Sequence, residues 1–250
     1  TFELLGALSN LRHLTIRHGT FTDNDLSPLQ SLTKLQSLQL QSLHFSGSGL
    51  KYLTQAKGLE SLTLSNNPDW NNANAHLLTE LPLLQEIFFD YSPVDDVTLS
   101  ALKNHEELRT ILLNNTQVSF TGLQALQKLK RLSHLAVSGC ELGKSEFNQL
   151  YQLSTRQPLT LDLSQSTITD KDLAFMETLD VRQLNLNGTT ISDAGLELVS
   201  QSKKCQQLDL GHTQCTAAAL AQTLPELPLE TLSLQAVSLN AAVLQAISEI

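Results

Sequence analysis

The side chains with which this chain could do chemistry are seven histidines, three cysteines and a set of aspartates. The histidines stand at positions 13, 18, 44, 76, 105, 134 and 212, the cysteines are Cys140, Cys205 and Cys215, and Asp90, Asp162 and Asp209 are the carboxylates of most interest. Imidazole and thiolate ligate zinc, and paired carboxylates divide acid and base roles. Each use demands a spacing, and the familiar spacings fail: there is no CxxC, HExxH, GxSxG elbow or Gly-rich phosphate loop. An odd number of cysteines in 250 residues is no disulfide framework. Asn114-Asn115-Thr116 and Asn187-Gly188-Thr189 have the form of glycosylation triplets. Whether any of these groups meet depends on the elements that carry them.

Those elements recur. The string Leu-x-x-Leu-x-Leu, or close variants of it, opens units at Leu11, Leu35, Leu59, Leu84, Leu108, Leu132, Pro158, Val181, Cys205 and Leu229, after a partial unit over residues 1–10. Spacings of 23 to 26 residues hold phase along the whole chain. The fourth position is always Leu or Ile, and the sixth is Ile, Leu, Phe or Val. Period-two alternation predicts one short strand per unit with a single buried face. Because every unit runs the same way, the strands must stack in parallel. Five residues past the sixth position comes a further apolar site, then Ser, Thr or Asp, as in Thr22-Asp23 and Ser192-Asp193, which suit the opening of a helical turn. Leu26, Leu29 and Leu32, at spacing three, fit a short α or 3₁₀ segment on the outer side.

The unit Leu184-Asn185-Leu186-Asn187-Gly188-Thr189-Thr190-Ile191-Ser192-Asp193-Ala194-Gly195-Leu196 resembles the leucine-rich repeat, in the subtype of F-box substrate receptors and some bacterial host-directed effectors. The resemblance covers the whole chain. It implies an α/β fold: a curved solenoid with parallel strands on the concave face and short helices or 3₁₀ turns on the convex face. The ninth position, Asn in much of this superfamily, is Thr116, Cys140, Ser166, Thr189 and Thr213 in several units, which matches a Thr/Cys-bearing subtype.

Placed on that frame, the chemical candidates disperse. Strands about 4.8 Å apart put His134 and His212, three units apart, near 14 Å from each other, so no metal site, catalytic centre or cofactor is expected. Cys140, Cys205 and Cys215 fall on positions that call for small or apolar filler. Net charge is −9, pI about 5.2 and mean hydropathy −0.09, without a basic cluster large enough to expect nucleic acid as partner. No apolar run reaches the length of a membrane span.

What remains is a surface. A protein–protein interaction module is expected, binding a protein partner on its concave face. The alternatives are the recognition domain of a larger enzyme, such as a ubiquitin-ligase-type receptor or effector, and a structural spacer. The cytoplasm, of its own cell or of a host, is favoured over an extracellular setting. Phe88, Leu112 and Ala136 occupy the fifth position of three successive strands, with Tyr91, Asp90, Asn114 and Asn115 beside them, the anatomy of a binding hot spot. Phe88 beside Leu112 can also serve strand pairing alone. Arg12, His13, Arg17 and His18 form a second, basic candidate. Trp70, displaced by one inserted residue, is expected as core filler, with an exposed anchor as the alternative. Phe2, Leu5, Leu8 and Ile250 fall on helix positions of end units without a polar cap, so the array is expected to be a section of a longer protein.

Overall fold

The computed structural model describes residues 2–142 and 156–248, without the side chains of Phe2 and Ala246. The expectations placed on Ile250 and on the Phe2 side chain lie outside these residues. Strands β1 His13–Arg17, β2 Ser37–Gln41, β3 Ser61–Thr63, β4 Glu86–Phe88, β5 Thr110–Leu112, β6 His134–Ala136, β7 Leu159–Asp162, β8 Val181–Asn185, β9 Gln207–Asp209 and β10 Thr231–Ser233 form one open, all-parallel sheet in chain order. Leu14 lies opposite Leu38, Leu38 opposite Leu62, and the fourth positions continue in this register to Leu208 opposite Leu232. The outer layer mixes 3₁₀ segments, such as Asp23–Ser31 and Asn72–Glu80, with short α-helices: α1 Asp96–Leu102, α2 Phe120–Leu123, α3 Asp193–Ser200, α4 Ala217–Thr223 and α5 Ala241–Ser248. A helix takes roughly 10 Å of width where a strand takes about 4.8 Å, so the stack bends with its sheet inside.

Backbone satisfaction is organised by a feature of the turn that the apolar pattern does not show. The eighth residue of every unit, from His18 through Tyr91 and Gly188 to Ala236, is left-handed, with φ between 51° and 68°. In the first nine units its N–H donates to the seventh-position carbonyl of the next unit, for example Tyr91 to Asn114 at 2.8 Å and Asn115 to Ser138 at 2.7 Å. One residue on, the hydroxyls of Thr116, Ser166, Thr189 and Thr213 donate to the sixth-position carbonyls of their own units. Ser92 and Cys140 reach that carbonyl in the preceding unit. Asn67 does both, donating to Leu40 and Leu64 at 2.8 Å and accepting from Leu43 N–H at 3.1 Å. A hydroxyl therefore replaces the donor half of the amide's work, the bond given to a backbone carbonyl.

Helix starts are tied across units as well. Ser119 and Ser192 each donate their N–H and Oγ–H to the carboxylate of the preceding unit, Asp96 and Asp170, and Thr216 does the same to Asp193. Each donor residue also caps its own helix.

The buried leucines form one continuous core. At the two ends Leu4, Leu8, Leu239 and Leu244 are exposed. Trp70 is core filler, 4% exposed, packed edge-on to Phe89 at 5.2 Å and near Phe45 at 6.3 Å, with its indole N–H donated to Asn72 and Thr98. Gly47 accommodates it. A Cβ there would sit 2.7 Å from the indole ring, and at its φ of 93° any other residue would be strained.

The head of the seventh unit differs from the sequence expectation. Leu159 is fully buried and pairs with Val181, while Pro158 is only half-buried, and the register slips by one residue before Thr160 meets Gln183. The slip is a bulge that lets the larger leucine take the core slot. Arg156 and Gln157 are exposed. His105 is also unexpected: it fills the slot held by Leu32, Leu81 and Leu129 in other units, with Nε2 on the Leu78 carbonyl at 3.0 Å and Nδ1 unpartnered.

Replacing Trp70 by Ala is expected to cost about 3–5 kcal/mol, the usual range for emptying a large aromatic site. Urea denaturation checks this, and a loss below about 1 kcal/mol would show that the third unit's insertion does not depend on the indole.

Candidate functional site

Phe88, Leu112 and Ala136 stand in register at the centre of the exposed sheet face, Phe88 opposite Leu112 and Leu112 opposite Ala136. Their exposure is graded. Phe88 and Leu112 are half-buried, and Ala136 is 7% exposed, so the apolar strip is narrower than three equal side chains would make it. Tyr91 is the outlying member, 64% exposed on its left-handed residue at the rim where β4 turns out of the sheet. The left-handed backbone of this tyrosine is held by the cross-unit hydrogen bond from its own N–H, as in the rest of the first nine units.

The polar members of the cluster are structural acceptors. Asp90 Oδ1 accepts from Asn114 N–H at 2.8 Å, and Asn114 Oδ1 accepts from Ser138 N–H at 2.9 Å. Burial pushes the Asp90 carboxyl above the usual carboxylate range, only partly opposed by the Asn114 N–H. Asp162 and Asp209 instead accept from Ser164 and Gly211, two residues on in their own units. None of the three is a free carboxylate.

Phe88 borders an open trough of about 530 Å³ across β1 to β4, whose other walls include His13, Gln39, Glu60, Ser61 and Glu86. His13 of the basic candidate and Phe88 of the apolar one thus share a depression that the sequence did not join. Arg17 is spread onto the same face by a hydrogen bond to Gln39 at 2.9 Å. Arg12 and His18 are exposed.

All three cysteines are free and buried, and burial raises their thiols, Cys205 to about 11, which leaves little thiolate for nucleophilic work. Among the described residues no three His, Cys, Asp or Glu side chains gather to hold a metal, and no helix is long and apolar enough to cross a membrane. Asn115 is exposed, and Asn187 is half-buried between Gln165 and Asp209.

No family model matches the sequence, and neither does any curated protein. Solved structures do. An internalin (inlF) from Listeria monocytogenes is similar with a TM-score of 0.64 at 19% identity, over 93% of this chain and 70% of that one. An internalin C2 (inlC2) from the same organism gives 0.58 at 18%, over 92% and 84%. TLR13, in its complex with ssRNA13, gives 0.71 at 21%, and 97% of this chain spans 35% of that one. All three are leucine-rich-repeat proteins, and the fold of this chain is the leucine-rich-repeat solenoid.

Proposed function

We propose that this solenoid is a protein-binding module whose partner seats on the concave face around Phe88, Tyr91 and Leu112, with Asp90, Asn114 and Ala136 framing the contact. The observation that carries the reading is Tyr91, a large aromatic held in water in the same unit as the half-exposed Phe88, which itself borders a trough large enough to take a partner's side chains. Aromatic anchors next to a partly buried apolar patch concentrate binding energy. Arg12, His13, Arg17 and His18 extend the same face toward its first strand.

The solved neighbours support a binding role through their shared architecture. One of them is held in a complex with RNA. For this chain a protein is the better fit, because the net charge is −9 and Glu60 and Glu86 line the trough. The hydroxyl and thiol side chains at the ninth position favour the Thr/Cys-bearing subtype, and with it a recognition section of a longer effector-like or receptor-like protein working in the cytoplasm. No catalytic step is assigned to these residues.

Tyr91→Ala is expected to leave stability within about 0.5 kcal/mol, since Ala236 holds the same backbone position. Combined with Phe88→Ala it should strip specific proteins from an affinity capture that a Val97→Ala control on the exposed side of α1 retains. Identical captures from all three would sink the site.

Asp90→Asn separates structure from binding. A carboxyl raised on folding makes the native state bind its proton more tightly than the unfolded chain, so this group disfavours folding increasingly as pH rises through its folded-state value. The variant keeps an oxygen for Asn114 N–H and removes the charge. Its melting temperature relative to wild type should rise, or at least not fall, between mildly acid and neutral pH. A variant less stable than wild type at neutral pH, by thermal melts across that range, would show that the charge itself is stabilising.

A further inference from the structure

We infer a second interaction surface, distinct from the concave site: a basic ledge on the edge where the outer helices return into the sheet, suited to an acidic segment of a partner protein. On this edge cations ordinarily reach a neighbouring unit. Lys34 donates to Asn10 at 2.7 Å, Lys57 pairs with Glu80 at 3.1 Å, Lys204 with Asp180 at 2.9 Å and Lys203 with Glu226 at 3.9 Å. The pattern is one cation, one partner, about one unit apart.

Three consecutive return loops break it. Residues 103–109, 128–131 and 156–157 carry six of the chain's 16 Lys and Arg and two of its 25 Asp and Glu, a local positive excess in a protein that is otherwise strongly acidic. Arg131 pairs with Glu107. The side chains of Lys103, Arg109, Lys128, Lys130 and Arg156 are exposed and make no hydrogen bond or ion pair with a described residue. The backbone holds them together: Arg156 N–H donates to the Lys130 carbonyl at 2.8 Å, and Ser133 and His134 both donate to the Arg109 carbonyl. A depression of about 360 Å³ lies among Glu106, Glu107, Lys128, Lys130, Arg131 and Arg156.

Cations at helix C-termini offset the helix dipole, which accounts for Lys103 and Lys128 but not for Lys130, Arg131, Arg156 or Arg109, which lie beyond the helical residues. Gathering unpaired like charges on one edge is unfavourable on its own, and an arriving run of carboxylates reverses the sign of that interaction. Asp or Glu side chains from a partner would supply the acceptors that Asn10, Glu80, Asp180 and Glu226 supply elsewhere. An acidic peptide fits better than nucleic acid, because Glu106 and Glu107 interrupt the ledge and repel a continuous phosphate backbone, whereas separate carboxylates can straddle them.

The test is fluorescence anisotropy of the full chain with a labelled oligoglutamate peptide and, in parallel, a single-stranded oligonucleotide of matching charge. The peptide should bind at low salt, weaken as salt rises, and lose about tenfold or more in affinity in the variant Lys128→Glu/Lys130→Glu/Arg156→Glu. Unchanged melting of the variant keeps the loss attributable to charge, and a milder Lys128→Gln/Lys130→Gln variant stands in if the reversal unfolds it. Tyr91→Ala should leave peptide binding intact, which separates this surface from the concave one. No peptide binding, equal binding by the reversed variant, or tighter binding of the oligonucleotide would each overturn the inference.

Discussion

A strand of three to five residues gives the chain little room in which to leave the sheet, and the structure depends on how that exit is made. Each unit turns out through one left-handed residue, and in the first nine units its N–H is donated to the next unit. Since the acceptor always belongs to a neighbour, no unit satisfies its own turn, and the stack is held by backbone bonds as well as by the leucine core. The side chain on that residue points to the rim and not to the core. His18, Ser42, Tyr91, Gln165 and Ala236 can therefore occupy equivalent places, and the rim is free to vary without disturbing the solenoid.

The fourth and sixth positions were legible because burial selects one kind of residue there, and the observed register is the one the alignment implies. The left-handed position was not, because that conformation is reached by Asn66, Asn115, Gly139 and Gly188 but also by residues with no special preference for it, once a cross-unit bond imposes it. Pro158 and Leu159 are adjacent and both apolar, so spacing alone could not say which would be buried. His105 reads as a polar surface residue, yet it fills a slot that other units give to leucine, and the Leu78 carbonyl it meets belongs to another unit. The basic ledge escaped notice for the same reason: its members are ordinary lysines and arginines until three loops are laid side by side.

The candidate site was legible in identity more than in degree. Phe88, Leu112 and Ala136 do stand in a row, but exposure on a sheet face is set by what grows from the adjoining strands, and Ala136 lies low between larger neighbours. The aspartates Asp90, Asp162 and Asp209 are tied to backbone N–H groups, since a carboxylate two residues from a tight turn, or one unit before it, has a donor within reach.

That last difference explains where the apolar patch lies. In units five to nine a side chain supplies the acceptor for the seventh-position N–H, by one of two routes. In units seven to nine the fifth residue supplies it: Asp162, Asn185 and Asp209 each bend to the N–H two residues on. A fifth position with that duty has to be Asp or Asn, so this part of the face is polar by construction. In units five and six the acceptor comes from the preceding unit's seventh residue, Asp90 for Asn114 and Asn114 for Ser138. The fifth positions there are released from the turn, and they hold Leu112 and Ala136. Asp90 and Asn114 are thus the polar support that lets Leu112 and Ala136 stand at the fifth position with the turn's backbone satisfied.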